Sequence, residues 1–173
     1  RLCIDHFGGI KKADPTLVVP YAWELFYDGE MAESKRIAEH IYSISPSNAD
    51  NAFLLCERIY GDRGEQNWGR IIEIANNVLD KSPSAVLISC NKAKAERKLG
   101  LYGSYREAYE EPLIRTNRHW KTLNSLVFDA SSGGEFDLAA EAFLEILTLD
   151  TESITNLSYK MISGLLVPGM YSV

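Results

Sequence analysis

The sequence predicts an all-α fold built from about four antiparallel helix pairs. Three observations support this prediction. Alternating β-branched runs bounded by turn residues do not recur, so strand signals are nearly absent. Apolar residues recur instead at the spacing of an α-helix, and clusters of Gly, Pro, Ser and Asp interrupt these runs at short intervals. Eight helices of about a dozen residues result, with a ninth expected over roughly residues 151–166.

The helical runs have recognisable apolar faces, because residues three and four positions apart lie on the same side of a helix. The breakers between them lie at residues 28–30, 45–48, 61–65, 81–84, 102–104 and 131–135. Three runs predict the faces that should be buried: Met31, Ser34, Ala38 and Ile41; Ile71, Ala75 and Val78; and Phe136, Ala139, Ala140, Phe143 and Leu147.

The helix pairs recur with a nearly constant period. Four glycines, each preceding the second helix of a pair, cover 105 residues in three intervals, a mean of 35: Gly29, Gly64, Gly103 and Gly134. Glycine at these positions would allow the positive φ that a chain reversal needs. Pro46 and Pro83 follow second helices and suit the first turn of the next helix. A helix pair repeated at about 34 residues is the signature of a repeat array.

The residues at these positions resemble the tetratricopeptide repeat family. In the segment "GEFDLAAEAF", Gly134, Phe136, Ala139 and Phe143 match the family's second helix, and "GSYREA" at residues 103–108 matches it in the third pair. Looser matches occur in the first pair and in the first helices of the second and fourth pairs. The resemblance covers roughly residues 15–166 and implies a right-handed superhelical solenoid with a concave and a convex side.

The resemblance also implies the division of the chain. Two departures from the family pattern leave a solenoid of less regular helix pairs as an alternative. Pro112 stands where the pattern has an aromatic residue, so that helix should end or kink near Glu111. Residues 85–99 fit no single helical register of the pattern. The C-terminal helix is interpreted as a cap, although its wide apolar stripe also suits a further repeat or a partner. The segments are a lead-in or tail of a preceding repeat (1–14), four helix pairs (15–46, 47–83, 84–116 and 117–150) and a capping helix with its tail (151–173).

Composition excludes several classes of function. The 173 residues are 46% hydrophobic and 24% charged, as in a soluble globular domain, and no apolar run is long enough to insert into a membrane. A net charge of −6 argues against a nucleic-acid partner. Three widely spaced cysteines predict reduced thiols and a cytoplasmic location.

Charge is unevenly distributed along the chain. Every charged residue from Asp129 to Glu152 is acidic, and a basic cluster precedes that segment. Either these are solvated helix faces of opposite sign, or they form a polarised surface that steers a partner. The basic cluster comprises Lys92, Lys94, Arg97, Lys98, Arg106, Arg115, Arg118 and Lys121.

No catalytic motif occurs in the sequence. Phosphate-binding glycine loops, the nucleophile elbow and the helical zinc motif are all absent, and the three histidines fall in different pairs. We therefore expect no enzymatic activity, no catalytic residues, no cofactor and no metal site.

A binding surface remains as the predicted functional site. In tetratricopeptide arrays the first helix of each pair lines the concave groove, so the resemblance implies that a protein or peptide partner binds there. Trp23, Tyr60 and Phe128 are the candidate anchors, because rigid aromatics supply much of the energy at such interfaces. Ordinary core packing is the alternative for these aromatics. The candidate partner-binding residues are Trp23, Phe26, Glu57, Tyr60, Lys94, Arg97, Lys121, Asn124 and Phe128.

Family members that capture the acidic C-terminal peptides of chaperones carry a clamp of lysines, asparagines and an arginine in the groove. This chain has Val19, Trp23 and Leu54 at positions where the clamp has Lys or Asn, so that activity is not expected. The expected function is a non-catalytic interaction or scaffold module. Two alternatives are a self-association module, which would make the chain a homo-oligomer, and a helical accessory domain of an enzyme, such as a glycosyltransferase, whose catalytic domain lies elsewhere.

Overall fold

The described part of the chain is entirely helical. The computed structural model describes residues 15–61 and 67–149, in which eight α-helices and no strands occur. The predicted ninth helix and the lead-in segment lie outside the described residues. The helices are α1 (Pro15–Tyr27), α2 (Met31–Ile44), α3 (Ala49–Gly61), α4 (Trp68–Leu79), α5 (Val86–Lys98), α6 (Tyr105–Arg115), α7 (Trp120–Ser132) and α8 (Phe136–Thr148).

The chain divides into two compact units between Ala95 and Glu96, here called the N-terminal and C-terminal units. In the N-terminal unit α1 packs on α2, α2 on α3 and α3 on α4, and α1 also contacts α3. In the C-terminal unit α6 packs on α7 and α7 on α8. Packing between successive helices is consistent with a helical repeat.

Two predicted turn glycines have the conformation that the sequence indicates. Gly29 and Gly134 have φ values of 84° and 82°. After α1, the Glu30 N–H donates to the Leu25 carbonyl at 2.8 Å, and the same arrangement of hydrogen bonds follows α7. This is the Schellman pattern, which satisfies the last carbonyls of a helix and requires a left-handed residue. The turn within the first pair and the turn within the fourth pair are therefore equivalent.

The turn of the third pair is built differently from the prediction. Positive φ belongs to Gly100, at 74°, and not to Gly103. Gly103 instead donates its N–H to the Glu107 carboxylate at 2.7 Å. Ser104 and Glu107 form a reciprocal capping box that begins α6. Gly64 lies outside the described residues.

The two prolines between helix pairs lie before the helices and not inside their first turns. Pro46 and Pro83 each occupy a turn three residues ahead of the next helix. Asn48 is the residue that caps α3, because its Oδ1 accepts the Asn51 N–H at 3.0 Å. The prediction of proline at the first helical position is therefore wrong, and side-chain capping supplies the start signal of α3.

Helix α6 passes through Pro112, so the helix does not end near Glu111, one of the two predicted outcomes beside a kink there. It continues to Arg115, and Pro112 is buried. The Pro112 carbonyl accepts hydrogen bonds from both the N–H and the hydroxyl of Thr116, at 3.0 and 2.7 Å. Burial of the proline ring and the two hydrogen bonds from Thr116 compensate for the helical hydrogen bond that Pro112 cannot donate.

The predicted buried faces of α2 and α4 are confirmed. Ser34, Ala38 and Ile41 are buried and Met31 is half-buried at the rim, while the three predicted α4 residues are all buried. The Ser34 hydroxyl donates to the Ala22 carbonyl at 2.6 Å, which joins α2 to α1 at their crossing. Small residues at this point allow the two helices to approach closely.

The predicted buried face of α8 is wrong in register. Phe136 is 58% exposed, and Ala140 and Leu147 are exposed as well. The buried face consists of Leu138, Ala139, Ala142 and Ile146. Helix α8 is apolar on two sides, and α7 covers the side that contains the leucine and isoleucine rather than the side with the aromatics.

Candidate binding surface

Two of the predicted groove residues meet around an unpredicted arginine in the N-terminal unit. Trp23 and Phe26 of α1 are half-buried, and their ring centroids lie 4.2 and 3.6 Å from Cζ of Arg58. The Phe53 ring of α3 lies 6.0 Å from Trp23. Tyr27 extends the cluster into solvent, with 73% of its surface exposed. We refer to Trp23, Phe26, Tyr27, Phe53 and Arg58 as the aromatic–arginine cluster.

The remaining predicted residues of this unit lie on α3 and α5. Glu57 is half-buried beside Arg58 on α3. Tyr60 belongs to α3, but its side chain lies outside the described part. Lys94 lies in α5 and is half-buried. Trp23 and Phe26 are therefore the two predicted residues of this unit that the structure brings into contact.

In the C-terminal unit three predicted residues share one face of α7. Lys121 and Phe128 are exposed, and Asn124 between them is half-buried. Nζ of Lys121 lies 5.6 Å from the centroid of the Trp120 ring. Oδ1 of Asn124 is buried and accepts no hydrogen bond from any described residue. The i, i+3, i+7 spacing of these residues places them along a single line on the helix.

Arg97 makes structural contacts within its own unit. Its Cζ lies 5.3 Å from the centroid of the Tyr105 ring, and its Nη2 lies 3.8 Å from Oε1 of Glu135. The Glu135 carboxylate also accepts the Tyr105 N–H at 3.0 Å. Arg97 therefore links the start of α6 to the residue before α8, which is a structural role.

Three arginines of the basic cluster pair with glutamates of the acidic segment, which favours the first of the two alternatives, helix faces of opposite sign, over a polarised surface at these residues. Besides Arg97 with Glu135, Arg106 pairs with Glu141 at 2.6 Å, and Arg118 pairs with Glu145. The hydrogen bond from Arg118 lowers the pKa of the Glu145 carboxyl below its ordinary value. Unlike charges from α6, the α6–α7 turn and α8 thus neutralise one another locally.

These ion pairs lie across a cavity in the C-terminal unit. The cavity has a volume of about 460 Å³. Leucines of α6, α7 and α8 form its apolar floor, and Ile114 at its rim is 75% exposed. Its wall comes from α6 and α8, which are second helices of their predicted pairs, and from α7, which is a first helix. None of the described candidate groove residues lines it.

Arg58 is the functional candidate that the sequence reasoning missed. It is 1% exposed, and its Nε, Nη1 and Nη2 have no hydrogen-bond partner among the described residues. Burial lowers the pKa of its guanidinium to about 10, against the opposing charges of Glu57 and Tyr27, so it stays protonated at neutral pH. A signal was available, because Arg58 lies three and four residues after Leu55 and Leu54 and hence on the apolar face of α3.

A cavity of about 500 Å³ between α2 and α3 includes Arg58 in its wall. The α2 residues that line it are Met31, Ala32, Lys35, Arg36 and Glu39. Arg36 pairs with Glu33 at 2.6 Å, and Glu39 accepts from Arg70 of α4 at 2.6 Å. Three cationic side chains and one carboxylate therefore surround this space.

The described cysteines and histidines have structural environments. Burial raises the pKa of Cys56 to about 12, so its thiol is protonated and inert at neutral pH. Nδ1 of His119 accepts the Lys121 N–H at 3.1 Å and thereby caps α7. Over residues 15–61 and 67–149, no group of three or more metal-ligating side chains occurs. None of the helices described there combines the length and apolarity needed to cross a membrane.

No protein-family model matches this chain, and no curated protein matches it.

Proposed function

We propose that the chain is a tetratricopeptide-like, right-handed solenoid and a non-catalytic protein-interaction module. It binds a peptide or a helix of a partner protein in a concave groove formed by the first helices of the pairs, α1, α3, α5 and α7.

The packing of the N-terminal unit supports the repeat architecture. Successive helices from α1 to α4 contact one another, and α1 also contacts α3, which is the next first helix. Contacts between equivalent helices of neighbouring repeats are what a stacked array requires. The equivalent glycine turns after α1 and α7 add a second repeated feature, at the period of the sequence pattern.

The aromatic–arginine cluster is the observation that carries the binding proposal. It joins the groove residues Trp23 and Phe26 of α1 to Phe53 of α3, so that two successive first helices share one aromatic surface. Tyr27 leaves part of that surface in solvent. Partly exposed aromatics held rigid by their neighbours lose little entropy on binding and are typical interface anchors.

Simultaneous substitution of the three candidate anchors tests the groove. We expect Trp23→Ala/Tyr60→Ala/Phe128→Ala to reduce capture of partner proteins from extracts of the source cells by about tenfold or more, as quantified by mass spectrometry. The matched control is Leu101→Ala/Ile114→Ala, which removes exposed apolar side chains outside the first helices and outside the α8 face. Equal capture by the triple variant and the folded wild-type chain would exclude the groove.

Self-association is a second candidate function, and the outer face of α8 favours it. Phe136, Leu144 and Leu147 are exposed on that face, beside the half-buried Phe143. A row of exposed apolar side chains along one helix suits an isologous contact between two copies. Sedimentation velocity should then show a dimer that Phe136→Ser/Leu147→Ser dissociates. A strict monomer at high micromolar concentration would rule this function out.

A further inference from the structure

Arg58 is a buried charge with no hydrogen-bonded counter-charge among the described residues. Its three guanidinium nitrogens are shielded from solvent and donate to no described atom. A buried cation without a hydrogen-bonded partner is costly, and buried charges are normally paired. The contacts with Trp23 and Phe26 recover only part of that cost, because a ring face accepts no strong hydrogen bond.

The carboxylates that the structure describes near Arg58 do not supply the missing acceptor. Glu39 lines the same cavity, but its Oε2 accepts from Arg70. Glu57 influences the charge of Arg58 through space without accepting a hydrogen bond from it. An acceptor for the guanidinium can therefore come from a ligand.

The cavity beside Arg58 has the size and charge to admit such a ligand. Its volume of about 500 Å³ exceeds that of a single acidic side chain, and Lys35 and Arg36 line it together with Arg58. The guanidinium becomes reachable when a wall side chain moves. Met31 and Lys35 are half-buried and unbranched, so they have the rotamer freedom to do so.

We propose that the cavity between α2 and α3 binds a carboxylate of an acidic partner peptide, with Arg58 as the principal ligand and Lys35 and Arg36 at the rim. This inference rests on the proposed peptide-binding function and specifies the chemistry of the peptide. A planar guanidinium pairs with a carboxylate through two parallel hydrogen bonds. The aromatic rings contacting Arg58 hold it in position and exclude water from the pair.

None of the three cationic side chains of the site lies at Val19, Trp23 or Leu54, the groove positions compared with the chaperone-binding clamp. Arg58 lies on the apolar face of α3, next to the buried Leu54 and Leu55. Lys35 and Arg36 belong to α2, which is a second helix of its pair.

The experiment titrates blocked tetraglutamate (Ac-EEEE-NH2) into the protein by isothermal calorimetry. Inorganic phosphate and blocked tetralysine serve as comparison probes at equal ionic strength. The second readout is the fluorescence of Trp23 in the variant Trp68→Phe/Trp120→Phe, since Trp23 contacts Arg58. We expect saturable binding of tetraglutamate with a change in Trp23 emission, weaker binding of phosphate and none of tetralysine.

The key variant is Arg58→Met, which removes the charge and keeps the unbranched stem. We expect it to weaken tetraglutamate binding by at least about tenfold while leaving the melting temperature equal or higher, because an unpaired buried charge is lost. Arg58→Lys should retain part of the affinity. Arg106→Met removes the same charge from an exposed ion pair of the other unit and should change the affinity by less than about threefold.

Several outcomes would overturn the proposal. These are no binding of tetraglutamate, tighter binding of phosphate, or equal affinity in Arg58→Met and the wild type. If Arg58→Met does not fold, Lys35→Gln/Arg36→Gln decides, because unchanged affinity in that surface variant excludes the site. The groove is tested separately with Phe128→Ala, the candidate anchor on α7 of the other unit. Loss of partner capture with tetraglutamate binding intact supports the groove, and unchanged capture rejects the groove while leaving the carboxylate site untouched.

Discussion

Gly133 and Gly134 are adjacent, and glycine is required at each of them for a different reason. A Cβ on Gly133 would lie 2.4 Å from Cε2 and 3.1 Å from Cδ2 of the Tyr105 ring, which is 3% exposed and cannot move freely. Gly133 itself has an ordinary φ of −89°. A Cβ on Gly134 would meet nothing within 4 Å, but its φ of 82° disfavours any side chain. The first glycine is needed for space and the second for its backbone conformation.

We predict that Gly133→Ala destabilises the C-terminal unit by about 1–2 kcal/mol. Overpacking a tight core contact costs about 1–3 kcal/mol. The lower backbone entropy of the unfolded alanine chain offsets about 0.4–1 kcal/mol of that cost. Gly134→Ala should cost a similar amount, about 1–2 kcal/mol, through left-handed strain alone.

Urea denaturation in a Tyr105→Leu background separates the two causes. Removing the ring should make Gly133→Ala neutral or stabilising, because the steric term disappears and the entropic gain remains. Gly134→Ala should be as destabilising in this background as in the wild type. Gly134→Asn should cost less than Gly134→Ala, because asparagine tolerates positive φ better. If Gly133→Ala is equally destabilising with and without the Tyr105 ring, the close contact is not the reason for glycine there.

Three further predictions follow from buried or paired groups. Tyr109→Phe should reduce stability by about 1.5–3 kcal/mol in urea denaturation, because the buried Tyr109 hydroxyl donates to the Asp129 carboxylate at 2.6 Å and hydrogen bonds to charged groups are strong; a loss below about 0.5 kcal/mol would contradict this. The Arg118 hydrogen bond lowers the folded-state pKa of Glu145, so the pair stabilises above the ordinary carboxyl pKa and loses its effect as pH falls through the folded pKa. Glu145→Gln should therefore be destabilising at pH 7 and progressively less so as the pH falls below the ordinary glutamate pKa of about 4.3, and an effect independent of pH would refute the assignment. Cys56, with its pKa raised to about 12, should react with Ellman's reagent at pH 8 only when the chain unfolds, and reaction in the native protein would contradict its burial.

The helical class and two of the predicted faces could be predicted from the sequence because several signals agree there. In α2 and α4, a single apolar stripe with polar residues elsewhere leaves one possible orientation. Gly29 and Gly134 were predictable as turn residues because each directly precedes the start of a polar–apolar helical pattern. The all-helical fold follows from such local signals without any relative for comparison.

Helix α8 shows why register could not be predicted from the same reasoning. It has one apolar stripe through Phe136 and Phe143 and another through Leu138 and Ile146, so hydrophobicity alone does not decide which stripe packs on α7. The family pattern favoured the aromatics. In the structure the stripe through Leu138 and Ile146 is buried instead. This choice depends on tertiary contacts, which the local sequence pattern does not show.

The candidate site was only partly predictable for a similar reason. Trp23 and Phe26 follow from groove positions along α1, but their shared contact with Arg58 depends on how α3 packs against α1. An arginine in an amphipathic helix is ordinarily solvated, so its type gave no reason to expect complete burial. The uneven charge of the sequence was equally ambiguous until the pairing of Arg106 and Arg118 with α8 was known.

The paired charges of the C-terminal unit have a kinetic consequence for any partner. Arg106 with Glu141 and Arg118 with Glu145 are short dipoles, whose fields fall off faster with distance than those of single charges. The attraction or repulsion that these two pairs exert on an approaching partner should be small beyond about one Debye length of 8–10 Å. They should therefore contribute little to the ionic-strength dependence of the association rate, which the net charge of −6 would dominate.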